Sequence, residues 1–247
     1  MTTPIHLTVV GLGPGDPDLI TIKGLRALEA ADLIFAPRSR DDEASRALRI
    51  AEPWIDPQRQ QIVPVTIPMQ RDTSQASAVY WDVATRLGAQ LHAQAARHPQ
   101  GHARAAYLLL GDPLLYGTFT MIGNALQRQH PTIAVTIIPG ITSFAATAAR
   151  LGLPLSSGDE RVAILPAPAD PAVLRELCAQ FATVVLLKVG RTLPQLLAVL
   201  TELALLDTAV YAEHLGMPEE RIVRDLGRLR GYKAPYLSLV IVRQGGC

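Results

Sequence analysis

Tyr107-Leu108-Leu109-Leu110 is a strand-length apolar run that breaks off at Gly111-Asp112-Pro113, and Leu114-Leu115-Tyr116-Gly117-Thr118 follows. A short, uninterrupted apolar run bounded by breakers is the pattern of a parallel strand buried on both faces. Such strands belong to α/β sheets, and in open α/β sheets ligands bind beyond the carboxyl ends of the strands. The loop that starts at Gly111 is therefore where a ligand would meet this chain. Gly111 lets a ligand approach the backbone closely, and Pro113 fixes φ and removes a donor. Asp112 offers either a carboxylate to a ligand or a side-chain cap for the turn. An ordinary strand-to-turn junction looks the same in isolation, so the other strand ends decide.

Ile5 to Val10 reads as a first strand, running into Gly11-Leu12-Gly13-Pro14-Gly15-Asp16-Pro17. A dinucleotide fingerprint needs glycine at its first, third and sixth positions, and the sixth here is Asp16. Pro14 and Pro17 stiffen a turn that should curl around a pyrophosphate. Asp32 falls where a ribose-binding acid would, but it sits at the end of a helix, so a nicotinamide or flavin site is disfavoured. The loop still lines the same sheet edge as Gly111. A third strand end, Ile133 to Ile138, stops at Pro139-Gly140 before Ile141-Thr142-Ser143-Phe144 opens an alanine-rich helix to Leu151. Thr142 and Ser143 either cap that helix or donate to a ligand.

Between these lie further elements. Asp18 or Thr21 caps a helix to about Ala31, and Leu33 to Ala36 is a short strand. Arg38 to Ile50, with Arg40, Asp41, Asp42 and Glu43, reads as a solvated helix face rather than a substrate clamp. Ile62 to Ile67 is a strand. A long amphipathic helix follows from Thr73, with Val79, Val83, Leu87 and Leu91 on one face and Asp72 and Gln75 as a capping pair. Gly117 to Gln129 is helical. Gly152 to Gly158 reads as an interdomain connection, which divides the chain into 1–152, a linker 153–158, and 159–247. In the second part, Arg161 to Leu165, Thr183 to Val189, Ala209 to Ala212, Ile222 to Leu226 and Tyr236 to Val242 are strands, with helices at Pro171 to Gln180 and Leu193 to Leu203. Lys188 marks either an exposed strand end or a side chain reaching into a site. The predicted fold is two α/β domains, a parallel N-terminal sheet and a mixed C-terminal one.

Composition narrows the function classes. With 49% hydrophobic and 18% charged residues among 247, the chain has ample material for a core, so disorder is excluded. A net charge of +1 supplies no basic field for nucleic acid. Two cysteines and six scattered histidines give no metal-ligand spacing. No signal peptide and no apolar run near the ~20 residues of a spanning helix are present, so a cytoplasmic location without a membrane partner is expected.

Taken together, the Gly11–Pro17 loop, Gly111-Asp112-Pro113, Pro139-Gly140-Ile141-Thr142-Ser143 and the late Ala234-Pro235-Tyr236-Leu237-Ser238 resemble, in that order, the tetrapyrrole methylase family. The resemblance covers nearly the whole chain. The Leu187-Lys188-Val189-Gly190-Arg191, Pro68-Met69-Gln70-Arg71-Asp72 and Pro235–Ser238 stretches are most similar to the branch that methylates C20 of precorrin-2. This implies S-adenosyl-L-methionine as cofactor, S-adenosyl-L-homocysteine as product, a reduced tetrapyrrole as substrate, a cleft between two domains and a homodimer. By motif, the implied cofactor contacts are Pro14, Leu110, Gly111, Asp112, Leu115, Tyr116, Thr142, Ser143, Leu187, Gly216, Met217, Pro235 and Tyr236. Gly13 and Asp16 would border the tetrapyrrole, whose carboxylates Arg38, Arg71 and Arg161 would bind bidentately. Asp16, Glu213 and His214 are candidates for removing the proton that methylation of a ring carbon releases. Cobalt-factor II is an alternative substrate. The ribosomal-RNA ribose methylating branch wants a basic face and stacking aromatics, which +1 and 5% aromatic content argue against. A non-catalytic cofactor-binding protein is the reading from a different class.

Overall fold

Five parallel strands build the first sheet because each apolar run pairs with its neighbours in register. The computed structural model describes residues 5–40, 44–68 and 73–244, with side chains from 76 onward in the last range. Arg71 and the Asp72–Gln75 cap therefore lie outside the described side chains. Two compact units divide the chain, Met1–Thr142 and Ser143–Cys247.

In the first unit, β1 (Ile5–Gly11), α1 (Ile22–Ala30), β2 (Leu33–Arg38), α2 (Arg46–Ala51), β3 (Gln61–Thr66), α3 (Thr73–Arg97), β4 (Ala103–Leu109), α4 (Phe119–Gln129) and β5 (Ala134–Ile138) alternate along the chain. The sheet order is β3-β2-β4-β1-β5, all parallel. β1 and β4 are the longest strands of this sheet, seven residues each, and Leu7, Val9, Val10, Tyr107 and Leu108 are fully buried. Thr21 caps α1, its hydroxyl accepting the Gly24 N–H at 3.0 Å. Asp16 instead caps a single 3-10 turn, Pro17–Leu19. The expected helix from Arg38 to Ile50 is confined to α2; Arg38 completes β2. Pro64 is tolerated because β3 is an edge strand. Pro37 lies beyond the last β2–β4 pair, Phe35 with Tyr107.

Tyr107 packs against Phe119, ring centroids 4.9 Å apart, and its buried hydroxyl has no partner among the described residues. Burial, and then Tyr80, push that hydroxyl far above the ordinary tyrosine range. The native phenol stays protonated where the unfolded one ionises, so stability falls above about pH 10, by up to about 1.4 kcal/mol per pH unit. Tyr107→Phe is expected to stabilise the protein by about 1 kcal/mol at pH 7, with the gain widening above about pH 10. Urea unfolding at the two pH values checks this, and equal midpoints for both proteins would contradict it.

The second unit contains α5 (Ser143–Leu151), β6 (Val162–Pro166), α6 (Pro171–Gln180), β7 (Thr183–Leu187), α7 (Leu193–Glu202), β8 (Ala209–Glu213), β9 (Arg221–Val223) and β10 (Ser238–Arg243). Sheet order is β6-β7-β10-β8-β9, with β6 and β7 parallel and the remaining pairs antiparallel. The predicted class, a parallel sheet followed by a mixed one, is the observed architecture. The units divide ahead of the expected 153–158 connection, and α5 goes with the second. Phe144, Leu153 and Leu155 pack against Val185, Ala212, Leu239 and Ile241, and Arg243 Nε donates to the Pro154 carbonyl at 3.0 Å. Apolar contact and that hydrogen bond hold the segment on the sheet. Tyr236 and Leu226, expected in strands, lie outside β10 and β9. Among the described residues no helix is long and apolar enough to cross a membrane.

Candidate functional site

The loops after β4, β1 and β5 share one sheet edge because these strands are adjacent and parallel, and they are bonded to one another. Gly111 N–H donates to the Gly13 carbonyl at 2.7 Å and Leu12 N–H to Leu109 at 2.8 Å. Asp112 joins the third loop: Oδ1 accepts the Leu114 N–H at 2.9 Å and Oδ2 the Gly140 N–H at 3.1 Å. Of the two roles open to Asp112, the structure shows the cap, extended into a strut between loops.

Glycine is required where the loops touch. A Cβ on Gly140 would lie 2.2 Å from the Gly111 oxygen, and one on Gly11 2.5 Å from Gly140 N. Gly111 differs: its φ is +70° and nothing lies within 4 Å of its Cβ position. The loops thus form a tight backbone platform with an open face at Gly111. Pro14 is buried, Leu110, Asp112, Leu115, Thr142 and Asp16 are half-buried, and Tyr116 is exposed. Arg38, at the carboxyl end of β2, reaches the same sheet edge, its Nε donating to Thr66 Oγ1 at 3.1 Å.

The second unit gathers its predicted residues at one edge of its own sheet, where β7 and β8 end and β10 begins. Lys188 N–H donates to the Ser238 carbonyl at 2.8 Å, and His214 N–H to Leu237 at 3.0 Å. A Cβ on Gly190 would lie 2.8 Å from the Ala234 and Pro235 oxygens. Leu187, Pro235 and Tyr236 are therefore neighbours of the His214–Met217 turn. In that turn Gly216 N–H donates to Glu220 Oε2 at 2.7 Å and Met217 N–H to the His214 carbonyl at 2.9 Å. Lys188 stands at the exposed strand end, its Nζ 5.6 Å from the Tyr236 ring centroid. Tyr116, Lys188 and His214 have φ of 56°, 58° and 49°. Left-handed non-glycine residues cost about 1–3 kcal/mol and cluster at functional loops; among the described residues only Ala204 has this conformation elsewhere. The sequence motifs carry no signal for it.

Two further candidates have other surroundings. Arg161 is exposed, stacks over the Phe181 ring at 5.4 Å, and precedes β6. The parallel β6 runs from there to Pro166 beside Leu187, which leaves Arg161 about 16 Å away along the strand, at the opposite end of the sheet. Glu213, considered as a base, is buried, and both its oxygens accept tyrosine hydroxyls, Tyr232 at 2.7 Å and Tyr211. Burial and then Glu213 raise the Tyr211 hydroxyl above its usual range; Glu213 is the main cause for Tyr232. The sequence motifs carry no signal for the tyrosine pair beyond the i, i+2 spacing that puts Tyr211 and Glu213 on one face of β8.

A family model for tetrapyrrole (corrin/porphyrin) methylases matches residues 6–229. The chain belongs to the tetrapyrrole methylases. Relatives of this tetrapyrrole methylase include the precorrin-2 C(20)-methyltransferase of Sinorhizobium sp, 33% identical over 242 residues that cover 96% of this chain and 94% of the relative. The cobalt-precorrin-2 C(20)-methyltransferase of Salmonella typhimurium is 30% identical over 239 residues, 96% of both chains. A crystal structure of uroporphyrin-III C-methyl transferase from Thermus thermophilus, complexed with S-adenyl homocysteine, matches at a TM-score of 0.61 and 23% identity, covering 97% of each chain. That likeness is one of fold.

Proposed function

We propose that this tetrapyrrole methylase transfers the methyl group of S-adenosyl-L-methionine to C20 of precorrin-2, giving precorrin-3A and S-adenosyl-L-homocysteine in cobalamin biosynthesis. The observation that carries the reading is the three-loop platform, where Gly11 and Gly140 let backbone pack on backbone and Gly111 leaves one face open. Both C20-methylating relatives align along almost the full chain, and the name of one makes a cobalt-bearing substrate the second to test. The homodimer that the resemblance implies, and the cytoplasmic location without a nucleic-acid partner expected from charge and hydropathy, belong to the same reading.

The resemblance assigns cofactor contacts in the first unit to Pro14, Leu110, Gly111, Asp112, Leu115, Tyr116 and Thr142, and in the second to Ser143, Leu187, Gly216, Met217, Pro235 and Tyr236. Bound there, S-adenosylmethionine supplies an electrophilic methyl group on a sulfonium. The transfer is an in-line displacement, so the residues contribute chiefly by holding the partners aligned in a site that excludes water. Gly13 borders the tetrapyrrole and Arg38 binds its carboxylates at the edge of the first sheet. With Glu213 engaged by two tyrosines, Asp16 and His214 remain to take the ring proton.

Calorimetric titration with S-adenosylhomocysteine tests this on wild type and Gly111→Arg. Saturable one-to-one binding is expected for wild type and none for the variant, with circular dichroism showing both folded. A folded wild type that binds neither alone nor with tetrapyrrole present would sink the reading. Turnover with precorrin-2 and with cobalt-factor II then identifies the substrate.

A further inference from the structure

We infer that Glu213 is a positioning residue: with the buried Tyr211 and the half-buried Tyr232 it forms a brace that sets the His214–Met217 turn for the cofactor. The inference rests on the cofactor reading above and adds residues that reading leaves without a role. Glu213 is the last residue of β8, directly before the turn, and only 6% exposed. A buried carboxylate is costly unless its oxygens are hydrogen-bonded. Here Tyr232 OH donates to Oε1 at 2.7 Å and Tyr211 OH to Oε2. The Arg221 guanidinium stacks 4.5 Å from the centroid of the Tyr232 ring, and Arg221 is the cross-strand partner of Glu213. On its other side Glu213 pairs with Ser238, whose hydroxyl donates to the Pro235 carbonyl at 2.6 Å. The brace thus ties β8, the Tyr232 segment and the Pro235–Ser238 segment together at the residue where the chain enters the turn.

The turn needs such a hold. His214 has a left-handed φ of 49°, a strained conformation that persists only when its surroundings over-determine it, whereas Gly216 adopts its φ of 74° freely. Glu220 restrains the tip, its Oε2 accepting both the Gly216 N–H and Arg150 Nη2 at 3.2 Å. Glu213 restrains the base. A carboxylate without the tyrosine hydroxyls would draw in water and release His214 from its conformation, and the Gly216-Met217 backbone would lose its fixed place.

The test compares wild type with Glu213→Gln, Tyr232→Phe and Tyr211→Phe, alongside Cys178→Ala, a core change in α6 remote from the turn. Each is titrated with S-adenosylhomocysteine and assayed for methyl transfer. The brace variants are expected to raise Kd and the cofactor KM by about tenfold, the scale of losing a hydrogen bond to a charged group. Turnover at saturating cofactor should stay within about twofold of wild type where Asp16 takes the ring proton, and should fall as well where His214, carried in the same turn, takes it. Cys178→Ala should lower the melting temperature and leave Kd unchanged. Unaltered Kd in all three brace variants, or an equal rise in Cys178→Ala, overturns the brace while normal wild-type binding keeps the cofactor reading. A wild type that does not bind overturns both.

Discussion

Gly140→Ala is expected to abolish S-adenosylhomocysteine binding and to cost about 3 kcal/mol of stability, at the upper end of overpacking effects. The new methyl group would sit 2.2 Å from the Gly111 carbonyl oxygen, 2.8 Å from Gly11 C and 2.9 Å from Gly11 Cα. All three atoms are backbone, so no side chain can rotate away and the loops themselves must separate. Separation stretches the 3.1 Å bond from Gly140 N–H to Asp112 Oδ2 and shifts the Gly111 backbone that forms the open face. Gly101→Ala is the matched control. Its φ is +68° and nothing lies within 4 Å of its Cβ position, so it pays the left-handed strain alone, about 1–2 kcal/mol. Thermal unfolding and calorimetry on both variants check the difference. If Gly140→Ala proves no more harmful than Gly101→Ala, the three loops are not packed as described.

Asp112→Ala is expected to destabilise the protein by about 2 kcal/mol and to weaken cofactor binding, with Asp112→Asn falling between it and wild type. Removing the carboxylate leaves two amides without their acceptors. The Leu114 N–H is exposed and water replaces its partner, whereas the Gly140 N–H is partly buried, so its loss dominates. Asparagine keeps one acceptor oxygen and turns an N–H₂ toward the other amide, which preserves one bond of the two. Binding and stability should therefore fall together across the series. A stable Asp112→Ala that no longer binds would instead make the carboxylate a direct ligand contact and remove the strut.

Local pattern made much of the architecture readable. The runs at Ile5 to Val10 and Tyr107 to Leu110, and the period of Val79, Val83, Leu87 and Leu91, report burial and helicity through neighbouring residues alone. Glycine and proline at the strand ends likewise announced loops with unusual backbone, and the observed left-handed φ of Gly13 and Gly111 is what those loops use. The order of the motifs along the chain was enough to indicate the family.

By itself, then, the sequence determined most element types, the two α/β units and the family. Tertiary structure decided which groups the candidate residues meet. Asp112 turned out to hold Gly140, 28 residues on, because the strand order places β1 between β4 and β5 and brings their loops together. Glu213 accepts the hydroxyl of Tyr232 because that residue, 19 residues away in sequence, folds back onto it. Arg161 fell at the far end of its sheet because strand direction, which no local pattern states, puts it there. Hydrophobic period is a property of adjacent residues. Which strands become neighbours, and which polar groups they trap together, is settled only when the whole core packs.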